Sequence, residues 1–334
     1  MGEFKPQDDD QKVGKKIEEY SKRIGDLKKE VHKSVVGQEN VVEQVVLTLL
    51  ADSHALLEGV PGLAKSLLVE TLSRCIKGTL FRRIQFVPDM LPSDIIGVNV
   101  FNPTKGDFYI VKGPIFANFL LADEINRAPP KTQAAMMEAM QERKVNIHKE
   151  EFELERPFLV LATQNPLEQL GVYPLPEAVV DRFFLKIMVF YPKWEEELEI
   201  IDRNTVINKD IFQKINPVFT KKEVLEMQNI VRHIYIAKPV KEYILKIVTK
   251  TRSEDNKYSK YIRYGASPRG SISLALAARA YALMQGRNFV IPGDVKHVVL
   301  PVLRHRIILN YEGKAANINT DDIIKDLIDE VEVP

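Results

Sequence analysis

The segment Gly59-Val60-Pro61-Gly62-Leu63-Ala64-Lys65-Ser66 has the residue types needed to hold phosphate. It lies between a short apolar run, Ala55 to Leu57, and a helical pattern from Ser66 to Cys75. That is the strand–loop–helix setting a phosphate-binding loop requires. Backbone N–H groups of such a loop can point into its hollow and, with the helix N-terminus, cradle phosphate oxygens. Lys65 would reach the β- and γ-phosphates, and the Ser66 hydroxyl would hold Mg²⁺. Ala64 stands where the general pattern has glycine, so the expectation is a helix-like backbone at that position.

Further along, Phe119-Leu120-Leu121-Ala122 delivers Asp123 and Glu124 at the end of an apolar run. Open parallel sheets bind ligands beyond the carboxyl ends of their strands. There Asp123 can coordinate Mg²⁺ through water, and Glu124 can orient and deprotonate an attacking water. The competing reading is a helix N-cap. A third run, Phe158 to Leu161, leads into Ala162-Thr163-Gln164-Asn165-Pro166. The Asn165 amide could hold the attacking water or touch the γ-phosphate, or Asn-Pro could simply form a turn. Arg182 and Arg269 could offset the negative charge that develops in phosphoryl transfer, although lone arginines are commonly surface ion-pair partners.

The elements that must position these groups are legible in outline. The chain has 334 residues, 45% hydrophobic and 28% charged, which suits a soluble globular protein of about two domains. Apolar runs at 55–57, 119–122, 158–161 and 184–190 alternate with helices. That predicts an α/β fold with a parallel sheet covered on both faces. Two hairpins are expected near 98–111 and 144–156. Residues 1–15 are charged and predicted to be disordered. Amphipathic periodicity starts at Ile17, so the core is placed at 16–210. Thr220 to Glu223 forms a capping box, Gly286 is placed as a C-cap, and 211–334 is expected to be a helical domain.

Net charge is +1, which argues against nucleic acid or an anionic membrane as partner. The N-terminus has no apolar signal core and no stretch is long enough to span a bilayer, so the expected location is cytoplasmic. The single cysteine, Cys75, excludes an intrachain disulfide and reads as a buried apolar residue.

Together these residues resemble the MoxR family of AAA+ ATPases. The resemblance covers nearly the whole chain, from about Val35 to Pro334, and its pieces are Val36-Gly37-Gln38, Glu58 to Lys65, Pro88 to Asp94, Gly113 to Asn118, Ala122 to Pro130, Met137 to Glu142, Ala162 to Pro166 and Ala266 to Arg269. Ala64 is ordinary for that family. The resemblance implies an AAA+ αβα core with a C-terminal helical lid, and ATP with Mg²⁺ as ligands. It implies that Gly59 to Ser66 is the Walker A loop, with Leu67 also at the nucleotide, and that Asp123 and Glu124 are Walker B. Asn165 corresponds to sensor 1, Arg269 to sensor 2, and Arg182 to an arginine finger acting on a neighbouring subunit. Val36, Gly37 and Gln38 would sit near adenine, and both hairpins would face the pore or substrate side. Arg127 would lie near a subunit interface or form a local salt bridge, and His148 would be solvated.

The implied function is an ATP-driven, hexameric, ring-forming chaperone that remodels or matures a protein complex. Metal-cofactor insertion and a von Willebrand factor A-type partner belong to that picture. A nucleic-acid motor, a nucleotide-gated binding module and a metal-chelatase subunit are the alternatives.

Overall fold

The computed structural model describes residues 6–165, 172–205 and 215–334, with side chains from residue 13 onward. The boundary expected near residue 210 therefore lies outside the described residues, as do Pro166 and residues 1–5.

Helix α1 spans Pro6–His32 and α2 spans Glu39–Leu50. Helix thus replaces the disorder expected for the segment just before Lys15. A proline at the first helical position has no N–H to leave unpaired, so it is a favourable place to begin. From Ile17 the expected face is buried: Ile17, Tyr20, Ile24, Leu27 and Val31.

Strand β1 (Ala55–Glu58) leads through the glycine loop to α3 (Lys65–Arg74). The two-residue β2 (Ile76–Lys77) precedes β3 (Phe81–Gln85) and the short α4 (Pro92–Ile96). The first hairpin is β4 (Gly97–Asn102) with β5 (Asp107–Lys112), antiparallel throughout. Next come β6 (Phe119–Asp123) and α5 (Pro130–Glu142). The second hairpin is β7 (Lys144–Ile147) with β8 (Glu150–Glu153). Its turn is His148-Lys149, and His148 is exposed with a φ of 59°. Strand β9 (Leu159–Gln164), α6 (Glu177–Val180), β10 (Leu185–Met188) and α7 (Trp194–Asn204) follow.

Five strands form one sheet in the order β10-β1-β9-β6-β3, and β1–β9, β9–β6 and β6–β3 pair in parallel. Phe119, Leu120, Leu121 and Ala122 are all fully buried. Because adjacent residues of a strand face opposite sides, both faces of β6 are covered, as a parallel sheet requires. One face packs on Met136, Met137 and Met140 of α5, with Leu120, Ala122, Val160 and Ala162.

The C-terminal part is not purely helical. A two-residue β11 (Phe219–Thr220) pairs parallel to β2, ahead of α8 (Lys221–His233) and α9 (Lys238–Lys250). Strand β12 (Ile262–Tyr264) precedes α10 (Pro268–Met284) and α11 (Pro292–Leu303), and pairs antiparallel to β13 (Ile308–Leu309). Such short strands leave no periodic trace in a sequence. The expected capping box is formed: Thr220 N–H donates to Glu223 Oε2 at 2.8 Å, and Glu223 N–H to Thr220 Oγ1 at 3.3 Å. Gly286 follows α10 with a φ of 73°.

By contacts the chain divides into two compact units. One comprises Leu27–Phe183 and Ile187–Leu225; the other comprises Met1–Asp26, Phe184–Lys186 and Glu226–Pro334. The second unit has its own core, including Leu274, Ala278, Val295, Val299, Ile323 and Leu327, all essentially inaccessible.

Candidate functional site

Parallel strands bring their carboxyl ends to one side of the sheet. Here those ends are Glu58 of β1, Gln85 of β3, Asp123 of β6 and Gln164 of β9, so the segments that follow meet by topology alone. Between them lies a cavity of about 440 Å³. It is lined by Gly59 and Pro61 to Leu67 from the loop and α3. Asp123, Glu124, Thr163 and Asn165 line it from the middle strands, and Arg83 and Gln85 from β3.

The loop owes its shape to close approach. A Cβ on Gly59 would lie 2.5 Å from the Val189 carbonyl oxygen, and Gly62 has a φ of 85°. Ala64 is the N-cap of α3 with φ 55° and ψ 22°. That corrects the expectation of ordinary helical dihedrals: the position is left-handed, which is why the general loop pattern has glycine here. Lys65 is half-buried and its Nζ donates to the Gly59 carbonyl at 2.6 Å. Burial lowers its pKa, opposed by the carboxylates of Asp123, Glu124 and Glu58.

Asp123 and Glu124 are held by a shared hydroxyl. Thr163 Oγ1 accepts from the Glu124 N–H at 2.8 Å and donates to Asp123 Oδ1 at 2.6 Å. Glu124 has φ 56° and ψ 49°, a conformation uncommon for a residue with a side chain. It stands at the N-cap of a short 3₁₀ turn, Ile125–Arg127, yet its carboxylate makes no capping hydrogen bond. It accepts instead from Gln85 Nε2 at 2.8 Å and pairs with Arg127 Nε at 3.3 Å. The N-cap alternative therefore does not use the carboxylate, and Arg127 makes the local salt bridge.

The buried Asn165 faces the same cavity. Other expected residues are not among those that line it. Val36, Gly37 and Gln38 enter α2 and are not among its lining residues. There Gly37 has a φ of 63°, where a Cβ would meet the Glu196 carboxylate, and Gln38 Nε2 donates to the Phe190 carbonyl at 3.0 Å. Val60 also does not line the cavity, and neither does the exposed Arg182, in the turn after α6. Arg269 occupies the second position of α10, in the other unit. Sequence reasoning missed Arg83, Gln85 and Thr163 as site residues.

The donor set suits a hard cation. Magnesium takes oxygen ligands, commonly one or two carboxylates with phosphate and water, and Ser66 and Asp123 bring a hydroxyl and a carboxylate to the lining of the same cavity. Among the described residues no group of three or more His, Cys, Asp or Glu could form an all-protein metal cage. No described helix is long and apolar enough to cross a membrane.

Residues 54–185 match the model of the ATPase family associated with various cellular activities, and residues 257–327 match the AAA lid domain. The fold is thus that of an AAA-type ATPase. Chaperone MoxR1 of Mycobacterium tuberculosis is 45% identical over 309 residues, covering 91% of this chain and 81% of that protein. YeaC of Bacillus subtilis is 40% identical, covering 93% of this chain and 95% of that protein. A crystal structure of a Cytophaga hutchinsonii protein put forward as an ATPase superposes with a TM-score of 0.90. It is 43% identical and covers 97% of this chain and 99% of that one. The chain belongs to the MoxR family of AAA+ ATPases.

Proposed function

We propose that the cavity binds ATP with Mg²⁺ and hydrolyses it to drive chaperone-like remodelling or maturation of a protein complex, with metal-cofactor insertion as one form of that work. The observation that carries this reading is that the glycine loop and two strand-end acids line a single cavity. Lys65 and the loop N–H groups would hold the phosphates. Ser66 and Asp123 would hold the metal, which when bound offsets charge on the phosphate oxygens. Glu124 would take a proton from the attacking water, and Asn165 would orient that water. Arg182, exposed and outside its own cavity, would serve the site of a neighbouring copy in a hexameric ring. Arg269 would reach the nucleotide on closure of the lid. Trp194, Leu198 and Ile201 form an exposed apolar stripe at helical spacing on α7, which supports assembly with other chains. A von Willebrand factor A-type protein is the expected partner.

Glu124→Gln tests the reading directly. The variant should bind ATP nearly as tightly as the parent, with turnover lowered roughly 10²–10⁴-fold, the usual contribution of a general base. Turnover within a factor of about two of the parent would refute the assignment. Added DNA or RNA should leave the parent's rate unchanged, and strong stimulation would favour the nucleic-acid motor instead.

A further inference from the structure

Arg83 has no role in the chemistry proposed above, yet its guanidinium is turned into the cavity. It stands on the edge strand β3, where an arginine would ordinarily reach into solvent. Its Nε and Nη2 instead both donate to Asp123 Oδ2, at 3.1 and 2.5 Å. The other oxygen, Oδ1, accepts from Thr163. Both oxygens of the metal-binding candidate thus already accept from this chain.

The contact is anchored a second time. Arg83 Nη2 donates to Gln85 Oε1 at 2.7 Å, and Gln85 Nε2 donates to Glu124 Oε2 at 2.8 Å. The amide can point only one way. A guanidinium has no acceptor and a carboxylate no donor, so Gln85 must turn its oxygen to Arg83 and its nitrogen to Glu124. One side chain therefore touches both acids, directly and through a single amide.

We infer that Arg83 is a positioning residue that competes with magnesium for Asp123 Oδ2 and so sets how much metal the site needs to bind nucleotide. This rests on the reading of the cavity as a Mg–ATP site. Two adjacent carboxylates at one strand end repel each other, and Arg83 offsets that repulsion while holding Asp123 in place. The same bonds must yield before Oδ2 can accept from a metal-bound water, because Nε and Nη2 together already take up both lone-pair directions of that oxygen. Arg83 is about half exposed, with 49% of its side chain accessible against 17% for Asp123, so it has room to withdraw into solvent.

The test is calorimetric titration of a non-hydrolysable ATP analogue at graded magnesium concentrations, using the parent, Arg83→Met and Arg83→Gln. Methionine keeps the apolar stem and glutamine a polar end, and neither carries charge. Either variant that folds, judged by circular dichroism, decides the matter. The magnesium concentration giving half of the full tightening should fall by about threefold to tenfold relative to the parent, as expected for losing a partly exposed charge-assisted pair. An unchanged or raised value in a folded variant overturns the role of Arg83 while leaving the ATP reading intact. A parent that binds the analogue without responding to magnesium overturns the inference and the metal assignment together. A parent that does not bind the analogue at all overturns the proposed function itself.

Discussion

Two residues of the site sit in left-handed backbone, Ala64 at φ 55° and Glu124 at φ 56°. A residue with a Cβ is disfavoured there by roughly 1–2 kcal/mol. For Glu124 the Thr163 hydroxyl, Gln85 and Arg127 hold the strained conformation in place, and the strain aims the carboxylate into the cavity. Ala64 has no such task for its methyl group. Ala64→Gly should therefore stabilise the protein. Glycine's greater freedom in the unfolded chain offsets part of the gain, leaving about 1 kcal/mol. Chemical denaturation of parent and variant checks this, and a less stable variant would mean that the methyl group makes contacts outweighing the strain. The loop was legible because phosphate binding by backbone restricts residue types at fixed spacing. The conformation of Ala64 was not, because a sequence names the residue and not its φ.

At the scale of elements, His54 ties three pieces of the core together just before β1. Its ring accepts from the Val160 N–H of β9 at 3.0 Å through Nδ1, and Nε2 lies 2.9 Å from the Met140 carbonyl at the end of α5. One nitrogen must accept and the other donate, so the ring is neutral. Burial, helped by the nearby Arg143, depresses its pKa to about 4 from the ordinary 6.5, against the weaker pull of the Met140 carbonyl and Asp52. Between these values the unfolded chain binds a proton that the folded one does not. The stabilising contribution is whole above pH 6.5 and falls as pH drops toward 4, by about 1.4 kcal/mol per unit. His54→Gln lacks this titration, so its stability deficit relative to the parent should shrink over that window in urea unfolding. A constant deficit would mean that the ring titrates normally. No sequence pattern flagged His54, since its role depends on partners 86 and 106 residues away. The same distance effect hid β3. Phe81-Arg82-Arg83-Ile84-Gln85 has only two apolar residues because it forms an edge, so no apolar run marks it. Only its register, Gln85 beside Asp123, shows that Arg83 and Gln85 belong to the site. Central strands such as β6, buried on both faces, announced themselves as continuous apolar runs.

For the whole molecule, the decisive question is whether one chain can complete its own site. Lys65, Ser66, Asp123, Glu124 and Asn165 line one cavity, whereas Arg182 is exposed and does not. If Arg182 serves a neighbour's nucleotide, activity per chain should rise with protein concentration as rings form. Arg182→Ala should leave ATP binding intact and lower hydrolysis, by up to about 10³–10⁵-fold if it acts as arginine fingers do. Mixing two inactive variants sharpens the test. An Arg182→Ala chain keeps its glycine loop and lysine, and a Lys65→Ala chain keeps its arginine. Where the second presents Arg182 to the first, one complete site forms from two defective chains. The mixture should hydrolyse ATP although neither variant does so alone, with native mass spectrometry showing that mixed rings are present. Mixed rings that stay inactive would mean that Arg182 acts within its own chain or is only structural, and would remove the inter-subunit step from the mechanism.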